Sequence, residues 1–230
     1  MTTPSSGVAA GRVPSADTVR PSGAITSLVP DVRRPACIRI HVGGRPYYTI
    51  PRAVAAAERL EPGRTIDEAL HVRLGHAADQ EAALRAALRT LELRPYARAD
   101  LERRLVRRGH ARVAVAAALE DAADMGLLDD AAFARSYADT RAARGRGPMR
   151  IRRDLLAMGV ARDATDAAIA ARWPDGAEDS ALPLALATRR AAQLGDLPRP
   201  VKRRRLFAYL MRRGFAGRTI DQVVTQVLGA

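Results

Sequence analysis

Apolar residues recur three and four apart along most of the chain after Pro51 and alternate strictly only over one short stretch, which predicts a mainly helical protein preceded by a β-hairpin. The runs Cys37-Ile38-Arg39-Ile40-His41-Val42 and Arg45-Pro46-Tyr47-Tyr48-Thr49-Ile50 flank Gly43-Gly44, a pair suited to a two-residue hairpin turn. Pro46 has no amide to donate, so that part of the second run belongs at a sheet edge or just outside the strand. Residues 1–35 hold Pro4, Pro14, Pro21, Pro30 and Pro35 among Ser, Thr and Gly with no apolar period, and are predicted to be a disordered tail. Thr65 and Glu68 have the spacing of a capping box, so a helix is predicted from Ile66. Gly75 is expected to interrupt it. A second helix then runs from about Ala78 and presents Leu84, Leu88 and Leu91 before Pro95.

Beyond residue 83 the pattern repeats with a period of about 50 residues. Leu101 to Leu119, Ile151 to Ile169 and Leu206 to Val224 align without a gap. Each opens on an apolar residue, has leucine four positions on (Leu105, Leu155, Leu210) and another apolar residue after it (Val106, Leu156, Met211). Glycine follows at Gly109, Gly159 and Gly214, and alanine two residues later at Ala111, Ala161 and Ala216. A left-handed glycine just past a helix end accounts for this spacing, with the following residue (His110, Val160, Phe215) packing back on the helix. Each glycine then joins two helices, and a third precedes them, giving three helices per unit. For the second unit the start signal is explicit: Asp129 caps the helix and Leu128 staples onto Phe133. The expected organisation is a tail (1–35), a hairpin with helices (36–82) and three three-helix repeats (83–125, 126–175 and 176–230).

Charge sharpens this picture. The chain carries 38 Lys and Arg against 25 Asp and Glu, a net +13, and Lys202 is its single lysine. Residues 37–82 are balanced, whereas the repeats carry +11, of which +6 falls on residues 176–230. Successive helical residues advance by about 100°, which sets Leu101, Leu105 and Val106 toward a core and Arg103, Arg104, Arg107 and Arg108 away from it. Arg152 and Arg153 recur in the second unit, where Arg141 is also counted with the basic faces, and Lys202-Arg203-Arg204-Arg205 with Arg212-Arg213 form the densest cluster in the third. Such stripes suit phosphates or the acidic surface of a partner protein, and the pattern itself does not separate the two.

The remaining chemistry is sparse. There is no nucleophile beside a base, no spaced metal-ligand set and no glycine-rich phosphate loop after a strand, so neither an enzyme nor a metal or cofactor site is expected. His71 and His76 lie five apart with Gly75 between them, and nothing near Asp129-Asp130 completes an acid pair or a metal site. The lone Cys37 cannot form an internal disulfide, which fits a reducing compartment. The longest apolar run, Val113 to Leu119, falls far short of the roughly 20 residues a spanning helix needs. With no export signal in the opening residues, a cytoplasmic protein without membrane contact is expected. The helix, glycine turn and helix also superficially match a DNA-binding helix-turn-helix, leaving a plain DNA-binding protein as the alternative; tandem repetition instead suits a periodic partner.

The run Gly126-Leu127-Leu128-Asp129-Asp130-Ala131-Ala132-Phe133-Ala134, followed by Arg141, Gly147, Ile151, Leu155 and Gly159-Val160, resembles the RecX family of recombination regulators. So does Arg94-Pro95-Tyr96-Ala97-Arg98-Ala99-Asp100-Leu101 through Leu105 to Gly109. The resemblance covers about residues 84–228, and is looser in the third unit, through Leu206, Leu210, Gly214 and Phe215. It implies a crescent of tandem three-helix repeats lodged in the groove of a RecA filament on DNA. There it would restrain RecA's ATPase, strand-exchange and coprotease activities and so regulate DNA repair. The implied partners are the RecA filament and DNA, met directly or within the filament, by a monomer that needs no cofactor. Two departures stand out: Ala97 occupies a capping position where the family tends to have serine, and residues 1–35 have no obvious counterpart.

Overall fold

The structure, a computed structural model, describes residues 23–174 and 181–229. Three antiparallel strands come first: β1 (Ile25–Asp31), β2 (Arg34–Val42) and β3 (Arg45–Pro51), in spatial order β1-β2-β3. Ten helices follow among the described residues: α1 (Arg52–Ala57), α2 (Glu68–Leu91), α3 (Arg98–Arg107), α4 (Arg112–Asp124), α5 (Asp130–Ala143), α6 (Pro148–Met158), α7 (Arg162–Arg172), α8 (Ala181–Ala192), α9 (Arg199–Arg213) and α10 (Gly217–Leu228). The chain divides into two compact units, one running through Ala83 and including His110–Ala114, the other comprising Leu84–Gly109 and Val115 onward.

In the first unit, the predicted hairpin is present as β2 and β3, joined by Gly43 and Gly44, both with positive φ. Pro46 sits in β3, an outer strand of the sheet, opposite His41. The expectation of a disordered segment up to residue 35 is overturned for residues 25–35. Ile25-Thr26-Ser27-Leu28-Val29 pairs with β2, Ile25 is fully buried beside Ile40 and Ile50, and Arg34 already belongs to β2. The prolines obscured this strand, yet Pro30 lies near its end, where an outer strand tolerates a missing donor, and Pro35 stands only at the start of β2. Residues 1–22 of the expected tail lie outside the described residues.

Asp31 closes the β1–β2 pair. Its buried carboxylate accepts hydrogen bonds from Arg34 at 2.7 Å, Arg39 at 3.0 Å and the Arg33 amide at 3.0 Å. Burial pushes this carboxyl up, but those partners outweigh it and hold it below the ordinary range.

Two further expectations change. The helix expected from Ile66 begins at Glu68, with the Asp67 carboxylate accepting from the Leu70 amide at 2.7 Å. Thr65 instead bridges Ala24, and the Ile66 amide donates to Gly23, so this backbone extends the sheet before the helix can start. Nor does Gly75 interrupt: α2 is continuous, and a Cβ at Gly75 would stand 3.3 Å from the Tyr48 hydroxyl. Close approach of Tyr48, rather than a helix break, is what glycine serves there. Tyr47 hydrogen-bonds His71 Nδ1, and burial pushes the Tyr47 hydroxyl up to about 12.

Among the described residues, the elements of the second unit are all helices. Buried Leu101, Leu105, Val115 and Leu119 belong to the first repeat. A second cluster gathers Ala134, Ala138, Ala142, Ile151, Leu155, Val160, Ile169 and Trp173, and a third gathers Ala187, Leu206, Leu210, Phe215, Ile220, Val223 and Val224. Alanines at 134, 138 and 142 make one fully buried stripe on α5, which lets α7 pack close. Gly109, Gly159 and Gly214 have φ of +93°, +88° and +93°, the left-handed values that the repeat spacing predicts.

Candidate functional site: an arginine groove on the second and third repeats

The glycine turns also hold the repeats together. A Cβ on Gly159 would stand 2.5 Å from the Cβ of Ala99 at the start of α3, and one on Gly214 would stand 2.3 Å from the Cβ of Arg150 at the start of α6. Each glycine turn is therefore pressed against the middle helix of the preceding repeat. At Gly109, which has no preceding repeat, no such neighbour is within 4 Å. Arginines complete both joints. Arg103 donates to the carbonyls of Ala157 and Met158 at the end of α6, and Arg213 donates to the Gly145 carbonyl at 2.9 Å beyond α5. Both guanidiniums satisfy carbonyls left over at helix C-termini, where positive charge is favoured. Between the second and third repeats the backbone itself bonds, Gly147 N–H to the Arg213 carbonyl and Met149 N–H to that of Gly214.

The Asp129-Asp130 pair is divided between two caps. Asp129 accepts from the amides of Ala131 and Ala132, both at 2.9 Å, as expected of a cap on α5. Asp130 reaches back 32 residues to accept from the Arg98 amide at 2.8 Å, supplying the cap that Ala97 cannot give α3. Ala97 is itself fully buried against α5. Phe133 is half-buried on the second core and lies 5.9 Å from the Tyr137 ring.

Close to the joint between the second and third repeats lies an open groove of about 1070 Å³. Arg141 of α5 and Arg144 and Arg146 just beyond it line one part; Arg150, Arg152 and Arg153 of α6 and Arg212 and Arg213 of α9 line the rest. No acidic side chain is among the lining residues. Arg150 is tied to Asp154 and Arg152 to Asp166, each at 2.9 Å, and Arg141 lies over the Tyr137 ring. Arg144, Arg146, Arg153 and Arg212 are exposed, and their side chains have no partner among the described residues. Bare guanidiniums facing a concave surface concentrate positive potential there.

The structure thus places Arg141, Arg152, Arg153, Arg212 and Arg213 of the predicted basic faces around one groove. Arg144, Arg146 and Arg150, missed in the sequence, complete it; the turn that brings the first two in is marked only by Gly145 and Gly147. The other predicted basic residues lie apart from the groove. Lys202, Arg203, Arg204 and Arg205 occupy the early turns of α9, with Arg203 3.4 Å from Asp221. Arg107 and Arg108 are exposed at the end of α3, and Arg104 is partly covered near the Tyr96 ring. Arg103 is a joint residue. Among the described residues no cluster of three or more His, Cys, Asp or Glu is placed to hold a metal ion, and no helix is long and apolar enough to cross a membrane.

Tandem three-helix domains carrying an arginine-lined groove define a helical-repeat protein. Comparison with known proteins gives its family. Residues 129–169 match the model of the RecX second three-helix domain, and residues 178–224 that of the third. The regulatory protein RecX of Halorhodospira halophila is 37% identical over 147 residues, which span 64% of this chain and 86% of that protein. That of Chromohalobacter salexigens is 42% identical over 97 residues, 42% of this chain and 64% of the relative. A crystal structure of regulatory protein RecX superposes with a TM-score of 0.72 at 21% identity, covering 87% of this chain and 98% of the other, a likeness of fold. The chain belongs to the RecX family and is a RecX-type regulator.

Proposed function

We propose that this protein binds the RecA filament on DNA and restrains its ATPase and strand-exchange activities, acting in the cytoplasm by occupancy rather than by a reaction of its own. The observation that carries this reading is the arginine groove, which lies on the two domains that match the RecX models and has no acidic residue among its lining. A filament offers both phosphates and protein carboxylates at a regular repeat, and an extended arginine surface pairs with either through bidentate hydrogen bonds.

The test is RecA ATPase on single-stranded DNA with increasing amounts of the protein, at low and at moderate salt. Hydrolysis should fall with added protein. Replacing Arg144, Arg146, Arg153 and Arg212 together by glutamine should raise the amount needed at least several-fold, and the difference should narrow as salt rises. Unchanged hydrolysis at saturating wild-type protein would overturn the reading.

A further inference from the structure

The second and third repeats leave exposed an apolar residue that the core does not use, at a position where the first repeat has the half-buried Val106. Val106, Leu156 and Met211 occupy the same position, directly after the buried leucine, and the helical pattern places them on the core side. In the structure Leu156 is 37% and Met211 49% exposed, and both face the groove, joined there by Met149 at 55%. The position lies at the edge of the buried stripe of α6 and α9, which Ile151, Leu155, Leu206 and Leu210 already fill. Three large apolar side chains held open to water among arginines need a reason outside the fold.

We propose that the groove receives an acidic amphipathic helix of a protein partner, its carboxylates meeting the arginines and its apolar stripe covering Leu156, Met211 and Met149. This rests on the filament-regulator reading in taking the partner to be a protein. Charge selects an anionic occupant. The apolar contacts select one that also presents hydrocarbon at helical spacing, which a phosphodiester backbone lacks. The groove has no free stacking platform for bases either: its one aromatic lining residue, Tyr209, has the Arg213 guanidinium 4.7 Å and that of Arg190 5.8 Å from its ring centroid. The size agrees, since about 1070 Å³ accommodates about two and a half turns of a helix ~10 Å across. Met149 also lines a smaller adjoining pocket of about 310 Å³ with Ile169 and Trp173, a volume that holds one large apolar side chain.

The probe is a synthetic, terminally capped peptide of about twelve residues, glutamate-rich, with leucines three and four apart along one helical face. Its comparators are an isomer of the same composition with the leucines spread around the helix and an oligothymidylate of about ten nucleotides. Binding to the full chain is followed by fluorescence anisotropy. The patterned peptide should bind at least ~10-fold tighter than its isomer, and Leu156→Gln with Met211→Gln should abolish that ratio while leaving the isomer's affinity and the melting temperature unchanged.

Equal affinity for the two isomers overturns the proposal. So does oligothymidylate binding that displaces the patterned peptide and is unaffected by the double substitution, which would make the groove a nucleic-acid site. RecA ATPase assayed in parallel separates the two readings: selective peptide binding without restraint of RecA defeats only the filament reading. Restraint with equal isomer binding defeats only this one.

Discussion

Asp130 illustrates how much one side chain can do at a distance. Its carboxylate caps a helix that begins 32 residues earlier, so Asp130→Ala should destabilise the protein by about 1 kcal/mol, the usual worth of an N-cap, although its own helix keeps Asp129. Chemical denaturation would read this as a lower midpoint, and Ala97→Ser in the same background should recover part of it. The Asp129 cap was legible from spacing alone; the Asp130 cap was not, because no local pattern links residue 98 to residue 130. The glycines make a graded series. Gly109→Ala should cost about 1 to 2 kcal/mol for its left-handed backbone alone. Gly159→Ala and Gly214→Ala should cost more, since their new methyl groups meet Ala99 and Arg150 at 2.5 and 2.3 Å. Equal losses at all three positions, measured by urea titration, would contradict a close joint. Cys37 should resist alkylation until the protein unfolds, because burial, aided by Glu81, pushes its thiol up to about 11.

Among the elements, the repeats were the most legible part of the chain, because three copies of one pattern average out local accidents. Strand β1 was the least. Its alternation is short and flanked by prolines, and its stability comes from β2, which a local pattern cannot display. A chain beginning at Cys37 would lose β1, the buried Ile25 and the Asp31 pairs together. It should melt many degrees lower in the first unit, whereas one beginning at Gly23 should not. Asp31 also predicts a direction for acid stability. Its folded carboxyl titrates below its unfolded one, so its contribution is complete above the ordinary carboxylate range and is lost as pH falls through the lowered value. Melting temperature against pH should therefore fall less steeply on the acid side in Asp31→Asn than in the wild type, starting from a lower value at neutral pH.

On the scale of the whole molecule, charge proved legible in amount and less so in arrangement. The sequence places the densest cluster of the third unit at Lys202 to Arg205 with Arg212-Arg213, whereas the structure separates these, gathering Arg212 and Arg213 with arginines from α5, the turn after it and α6. The difference arises because a groove collects residues from three helices and a turn, while a stripe belongs to one helix. Replacing Lys202, Arg203, Arg204 and Arg205 by glutamine should leave folding intact, since Leu206 and Leu210 still fill the core. It should weaken RecA restraint less than the groove quadruple, with a control at Arg45 and Arg52 having no effect; a larger deficit from the Lys202 set would move the contact to the start of α9.

The joint between the second and third repeats has one more implication. Its backbone part, two main-chain hydrogen bonds and a glycine with no room for a side chain, sets the spacing of α6 and α9 through atoms that have no alternative rotamers, and the Arg213 guanidinium adds to it. A joint built of long side chains would let the groove breathe and would lose conformational entropy whenever a ligand narrowed it. Here the helix spacing is fixed when the chain folds, so the floor of the groove is preorganised: a ligand has to order the unpaired arginine side chains but not the helices that carry them, which favours affinity and residence time.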